Sequence, residues 1–162
     1  MVTKAMWLLR GVSGSGKSSK ARELGVGGVV LASDDFFGFE YTFDANLLGE
    51  AHRWNQGRVR DSIKAGKSPI VVDNTHTRAW EMKPYVELGL AAGYEIRIVE
   101  PDSPQWKNFH KGMSDVELNS LAVELAFLNK HGVPLSTVKA MLARWEHGVT
   151  VADVLNSQKP PL

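Results

Sequence analysis

The stretch Gly11-Val-Ser-Gly-Ser-Gly-Lys-Ser18 decides the fold. It satisfies G-x-x-x-x-G-K-[ST] without a gap, and it stands between an apolar run at 5–9 and a helix-forming segment at 18–24. A phosphate chain is held by several backbone N–H groups converging on it, and Gly11, Gly14 and Gly16 let the backbone wrap closely with no Cβ in the way. The helix that follows aims its positive end at the same point. Lys17 then reaches the β and γ phosphates of ATP, and the Ser18 hydroxyl is a candidate Mg²⁺ ligand. Gly11, Ser13, Gly14, Ser15, Gly16, Lys17, Ser18 and Ser19 are therefore the candidate nucleotide-binding residues. A chance glycine turn in a loop would need neither the strand before it nor the helix after it. The motif alone does not separate a kinase from a GTPase or a motor ATPase.

Working outward, further apolar runs short enough for buried strands lie at 29–32, 70–72 and 96–99. Helical patterns lie between them. One spans 45–65, with Asp44 as N-cap and Leu48, Ala51, Asn55, Val59 and Ile63 on one face; another spans 78–92, where Pro84 implies a kink or a later start. Strands alternating with helices predict a parallel sheet covered on both faces, a three-layer α/β/α fold. Ser114 and Glu117 form a capping-box pattern ahead of a helix through Asn129, and a last helix is expected over 135–147 with Gly148 as its stop. This final third reads as a helical cover over the carboxyl ends of the strands, where open α/β sheets bind ligands. The expected organisation is one domain at 1–148, with the lid at about 101–133, and a C-terminal tail at 149–162 that ends in a loose Pro-containing stretch from Lys159.

With 162 residues, 43% apolar and 23% charged, a single core is expected. The net charge of +1 announces no overall basic field, so any nucleic-acid contact must come from a local patch. Without cysteine there are no disulfides, thiolate metal sites or cysteine nucleophiles. No apolar stretch reaches the roughly 18 residues that span a bilayer, and the expectation is a cytoplasmic protein without membrane contact.

Two acidic sites follow the strands. Asp34 and Asp35 lie just beyond the second strand, where one carboxylate can accept the proton of an attacking hydroxyl; the bland alternative is a cap on a turn. Asp73 ends the third strand as an apolar run finishing in an acid does in a Walker B strand, suited to a Mg²⁺-bound water beside Ser18, unless it only caps the next helix. Asn74, Thr75 and His76 follow at the strand end, where catalytic loops cluster, and the spacing around His76 offers no zinc pattern. Arg53, Arg58 and Arg60 surround Trp54, a pattern that fits either phosphates and a stacked base or a solvated face around one core tryptophan. Trp7, Trp80 and Trp145 are expected in the core, whereas Trp106 is a candidate for a pocket wall.

The order GVSGSGKSS, SDDFF, AHRWNQGR, VVDNTHT, WEMKPYV, GYEIRIVEPD and NKHGVP resembles the P-loop kinases that include polynucleotide 5′-hydroxyl kinases, related to zeta-toxin and AAA-like ATP-binding kinase domains, from about Trp7 to Glu146. The resemblance implies that Asp34 is the general base and Asp35 its support, with Arg53, Asn74 and Arg78 also on the acceptor. It implies a lid in which Asn129 meets the nucleotide and Lys130 supplies the charge that an arginine normally gives. The family's acceptor-binding arginine after the aspartate pair is replaced by Phe36 and Phe37. The implied activity is ATP- and Mg²⁺-dependent transfer to a nucleic-acid hydroxyl, a polynucleotide 5′ end of DNA or RNA before others. A hydroxymethylated DNA base of the 5-hydroxymethyluracil type, a small nucleoside or metabolite, and a non-catalytic nucleotide switch are the alternatives.

Overall fold

Four parallel strands form the sheet: β1 (Ala5–Leu9), β2 (Val29–Leu31), β3 (Ile70–Asp73) and β4 (Glu95–Val99), in the order β2-β3-β1-β4. The computed structural model describes residues 3–38 and 44–161. The register pairs Met6 with Ile70 and Ile96, and Trp7 with Val71 and Arg97. Alternation along each strand then separates two faces. Met6, Leu8, Leu31, Ile70 and Val72 face α2 (Leu48–Lys64), α3 (Ala79–Ala91) and α7 (Val151–Leu155), packing on Val59, Met82, Tyr85, Val86 and Val154. Leu9 and Val71, with Trp7, Val30 and Val99, face Ala21 and Leu24 of α1 (Lys17–Leu24). Strands apolar on both sides thus carry helices on both sides, and the three-layer α/β/α architecture is what forms.

A second apolar core lies in the helical cover, made of α4 (Pro104–His110), α5 (Asp115–Leu128) and α6 (Leu135–Arg144). Ser114 caps α5 by accepting from Glu117 N–H at 3.2 Å while Glu117 accepts from Ser114 N–H at 3.1 Å, the reciprocal pair its spacing predicts. Trp106 is 1% exposed, perpendicular to Trp145 with 4.7 Å between ring centroids, and its Nε1 donates to Glu100. It is therefore core and not pocket wall, contrary to expectation. Val12 of the phosphate loop inserts into the same cluster, fastening the loop to the cover.

Several boundaries differ from the sequence expectation. α2 begins at Leu48, because Asp44 caps the preceding 3₁₀ turn (Ala45–Leu47) through Asn46 N–H at 2.9 Å instead of the helix itself. α3 starts at Ala79 and runs through Pro84, so the later start does not occur. α6 stops at Arg144, before 147, because Trp145 turns to extended backbone and lays its ring 4.1 Å from the Arg10 guanidinium. The cover consequently extends past 133 to Trp145. The segment from 149 is not a tail: Val154 of α7 is fully buried with Val149 and Val151 against the same core. Burying one valine contributes about 1.5–3 kcal/mol, enough to hold a five-residue helix that would not form alone. Lys83 also donates to Ser157 O at 2.8 Å, and Lys159 lies 5.6 Å from the Trp80 ring; Leu162 lies outside the described residues. Among the described residues no helix is long and apolar enough to cross a membrane.

Candidate active site

The phosphate loop joins β1 to α1 with Gly14 at φ 87° and Gly16 at φ 100°, conformations that L side chains rarely adopt. Gly14 is doubly constrained, since a Cβ there would stand 2.3 Å from Leu125 O of α5. A Cβ on Gly11 would stand 2.5 Å from Ser15 Oγ, so this glycine makes room behind the loop. Ser13, Gly14, Gly16, Lys17, Ser18 and Ser19 line an open cavity of about 700 Å³. Gly11 and Ser15 brace the loop from behind: Ser15 N–H donates to Val12 O and Ser15 O accepts from Ser103 Oγ, both at 3.0 Å. Lys17 Nζ lies 3.5 Å from Asp73 Oδ1, a buried oxygen with no hydrogen-bond partner. Ser18 and Asp73 line one cavity, so a hydroxyl and a carboxylate fit the small hydrated shell that Mg²⁺ demands.

Asp34 sits in a 3₁₀ turn (Ser33–Phe37) whose start is fixed by buried amides. Asn74 Oδ1 accepts from Ser33 N–H at 2.9 Å, and Asn74 and Asn55 both donate to Tyr85 Oη at 3.4 Å. Asn74 thus positions the turn from the end of β3. Asp35 points elsewhere: it accepts from Arg58 at 2.9 Å and from Ala32 N–H at 3.4 Å, and it lines the phosphate cavity. Asp34 and Asp35 thus face different ways, as two adjacent carboxylates must. Arg58 stacks 4.5 Å from the ring of Trp54, which is 40% exposed and edge-on to Phe36, so Trp54 is not a core residue.

A second, more enclosed cavity of about 350 Å³ adjoins the first, and Ser13 and Asp34 line both. Its wall takes Leu48, Gly49, His52, Arg53 and Gln56 from one stripe of α2, His76 from the loop after β3, Trp80, Pro84 and Tyr85 from α3, Arg144 from α6, and Lys159. His52 Nδ1 is 3.0 Å from Ser33 Oγ; desolvation lowers its pKa, with Glu81 and Asp34 pulling the other way. His76 is buried at φ 46° and donates from Nδ1 to Leu9 O at 2.8 Å. Desolvation by burial brings its pKa down to about 3, so the ring is neutral. The loop carrying it is clamped by Arg10, which donates to His76 O, Thr77 O and Glu146 O, and by Arg144, which donates to Thr77 Oγ1 at 3.0 Å.

Arg53 lines this cavity, whereas Arg78 lines neither; it precedes α3, its N–H donating to Glu81. Sequence reasoning missed His52, although its spacing of four from Leu48 and from Gln56 puts all three on one helical face. It also assigned Trp80 to the core alone and Lys159 to a loose end. At the lid, Leu128, Asn129, Lys130 and His131 line the phosphate cavity, and His131 Nε2 is 3.8 Å from Asp34 Oδ2. Asn129 also holds the lid turn together: its Nδ2 donates to Ala126 O and Val133 O, and its Oδ1 accepts from Val133 N–H.

A family model for the AAA domain matches residues 6–109. Human NEDD4-binding protein 2 is 41% identical over 158 residues, which cover 94% of this chain and 8% of that protein. The chain therefore spans less than a tenth of that relative's length. A gluconokinase from Sinorhizobium meliloti 1021 has the same fold, with a TM-score of 0.52 over 96% of this chain and 90% of the gluconokinase at 16% identity. With its phosphate loop closed on a parallel sheet and the match running from β1 into α4, the chain belongs to the AAA domain family and has a P-loop kinase-like fold.

Proposed function

We propose that this chain is an ATP- and Mg²⁺-dependent kinase that phosphorylates a hydroxyl held in the enclosed cavity, with the 5′-hydroxyl end of a polynucleotide as the acceptor. The observation that carries this is the position of Asp34, which lines the phosphate cavity and the enclosed cavity together. A hydroxyl entering from the enclosed side meets a carboxylate first and the γ-phosphorus next. Asp34 takes the hydroxyl proton, the acceptor oxygen bonds to the γ-phosphorus, and the bond from that phosphorus to the β–γ bridging oxygen breaks, releasing ADP. Lys17 and the loop N–H groups carry the charge on the leaving side. Ser18 and, through water, Asp73 would hold Mg²⁺, which supplies further neutralisation of the β and γ phosphates.

A polynucleotide end is supported by Arg53, Arg144 and Lys159 around the enclosed cavity, cations suited to phosphodiesters, and by the sequence resemblance to 5′-hydroxyl kinases. The replacement of the family arginine by Phe36 and Phe37 favours a second reading, a hydroxymethylated base as acceptor. The test is incubation with γ-labelled ATP, Mg²⁺ and a panel of 5′-hydroxyl DNA, 5′-hydroxyl RNA, hydroxymethyl-base duplex, nucleosides and gluconate. Label on the 5′-hydroxyl ends is expected. Label on the modified duplex alone selects the second reading, and nucleotide binding without label on any acceptor overturns both.

A further inference from the structure

After the helical cover is complete the chain returns to the enclosed cavity. Val154 anchors α7 in the core, and beyond it two half-buried side chains of α3 hold the segment that follows. Lys83 Nζ donates to Ser157 O at 2.8 Å, and Lys159 Nζ lies 5.6 Å from the Trp80 ring, within cation–π reach. Trp80 and Lys83 stand three residues apart on one face of α3, so the chain from 157 to 159 runs along that face. Pro160 disfavours helical backbone at Lys159, which keeps this residue from continuing α7. The outcome is a lysine lining the cavity, on a segment tied down twice. A lysine on an untethered end would instead spread its charge through solvent.

Resting on the kinase reading above, we infer that the segment after α7 is a strap belonging to the acceptor site, and that its Lys159 binds the phosphate next to the attacking hydroxyl and selects acceptors that carry this charge. Trp80 and Lys83 are its positioning residues. Lys159 rests on a ring, and among the described residues no acid pairs with it, so its N–H donors are available to an anion. The carboxylate of Glu81 on the same wall is already engaged, accepting from Thr77 Oγ1 and from Arg78 N–H. Arg53 comes to this wall from α2 and Arg144 from α6, so separate elements converge their cations on one cavity. A cavity of about 350 Å³ encloses one small ligand, and Asp34 lines it too. The anion held there therefore belongs to the same end that presents its hydroxyl to Asp34.

The experiment compares kcat/KM for two 5′-hydroxyl oligonucleotides that differ only in whether the first internucleotide linkage is a phosphodiester or an uncharged methylphosphonate. The proteins are the wild type, Lys159→Ala, Lys159→Arg and Lys83→Met. The wild type should favour the charged linkage, and Lys159→Ala should narrow that preference by about five- to tenfold through the acceptor KM, with kcat and KM for ATP near wild type. Lys159→Arg keeps the charge and should retain most of the preference. Lys83→Met releases Ser157 O with the lysine at 159 intact, and should narrow the preference less than Lys159→Ala. The slope of log KM against log salt should shrink by about 0.7 in Lys159→Ala, the value for one phosphate contact on a single strand. An unchanged preference in Lys159→Ala, or equal losses on both linkages, overturns the strap as a reader of charge and leaves the kinase reading intact. An unchanged preference in Lys83→Met overturns the role given to the tether. ATP binding without label on either oligonucleotide overturns the acceptor reading itself, and this inference with it.

Discussion

The phosphate cavity and the enclosed cavity meet at Asp34, yet they are built in opposite ways. The phosphate cavity takes its working groups from a contiguous loop, Ser13 to Ser19, and from strand and lid ends that come up to it. It is open, and apart from Ala21 and Val30 its lining residues stand outside the apolar cores. The enclosed cavity draws on α2, α3, α6 and two loops, and its polar atoms sit among core side chains. His76 and Tyr85 are 2% and 1% exposed and share the buried space between the helices and the sheet. The comparison teaches that changes at the first cavity should alter rate with little effect on stability, whereas changes at the second should couple the two.

The largest expected effect comes from Lys17→Ala. On the proposed mechanism its ammonium serves the β and γ phosphates, and it pairs with Asp73 at 3.5 Å, so turnover should fall by about three orders of magnitude or more while circular dichroism and melting stay near wild type. A variant that turns over normally would overturn the phosphate-loop assignment. One that unfolds would break the contrast between the cavities.

Asp34→Asn tests the junction. ATP affinity should stay within a few fold and kcat should fall by about two to four orders of magnitude, the range of general-base catalysis. Asp35→Asn should cost far less, because Asp35 is occupied by Arg58 and Ala32 on the exposed rim. Steady-state kinetics on both variants decide it, and a reversed order would move the base by one residue.

The difference in construction also explains what the sequence made legible. Sheet, alternation and phosphate loop follow from local patterns: Met6 and Leu8 against Trp7 and Leu9 divide by period two, and the loop is read from one unbroken motif. His52, Trp80 and Lys159 come together only through packing of distant segments, and no spacing within the chain announces such a wall. The hydrogen-bond partners of Asp35 and Asn129 were illegible for a related reason. Short polar side chains beside turns bond to local groups that no spacing announces, here Ala32 N–H for Asp35, and Val133 and Ala126 for Asn129, while Arg58 reaches Asp35 from α2.

The coupling of the enclosed cavity to stability can be read through pH. Burial chiefly, with His52, Lys17 and Arg10 adding to it against the Leu9 bond, brings His76 from the ordinary 6.5 down to about 3. The unfolded chain therefore takes up a proton below about 6.5 that the folded chain refuses until about 3. Stability from this residue is fully present above the upper value and is lost as pH falls through the window between them, at about 1.4 kcal/mol per pH unit. His76→Gln removes that slope. Urea midpoints measured at two pH values inside the window should fall further in the wild type than in the variant; parallel falls would mean that the ring is protonated in the folded state.

The smallest effect is expected at the lid, where the comparison is at its finest grain. Lys130 lines the phosphate cavity from the exposed turn after α5, and the neighbouring His131 reaches within 3.8 Å of Asp34. In a resting arrangement Lys130 lies near the nucleotide side without the fixed geometry that Arg58 or Arg144 shows. A lysine acts as a point charge and lacks arginine's bidentate fork, so its contribution to the transferring phosphoryl group should be modest. Lys130→Ala should lower kcat by roughly three- to tenfold with KM for ATP little changed, because charge that matters only after lid closure acts on the transition state more than on binding. Leu128→Arg, from a residue lining the same cavity, should raise kcat if a forked cation can reach the γ-phosphate from the end of α5. If Lys130 only complements the negative end of α5, its removal should shift the melting temperature slightly and leave kcat alone, for such a charge contributes under about 1 kcal/mol at an exposed site. Rates indifferent to both substitutions would move the lid cation to Arg144, whose guanidinium already lies in the wall of the enclosed cavity, bonded to Thr77 at 3.0 Å.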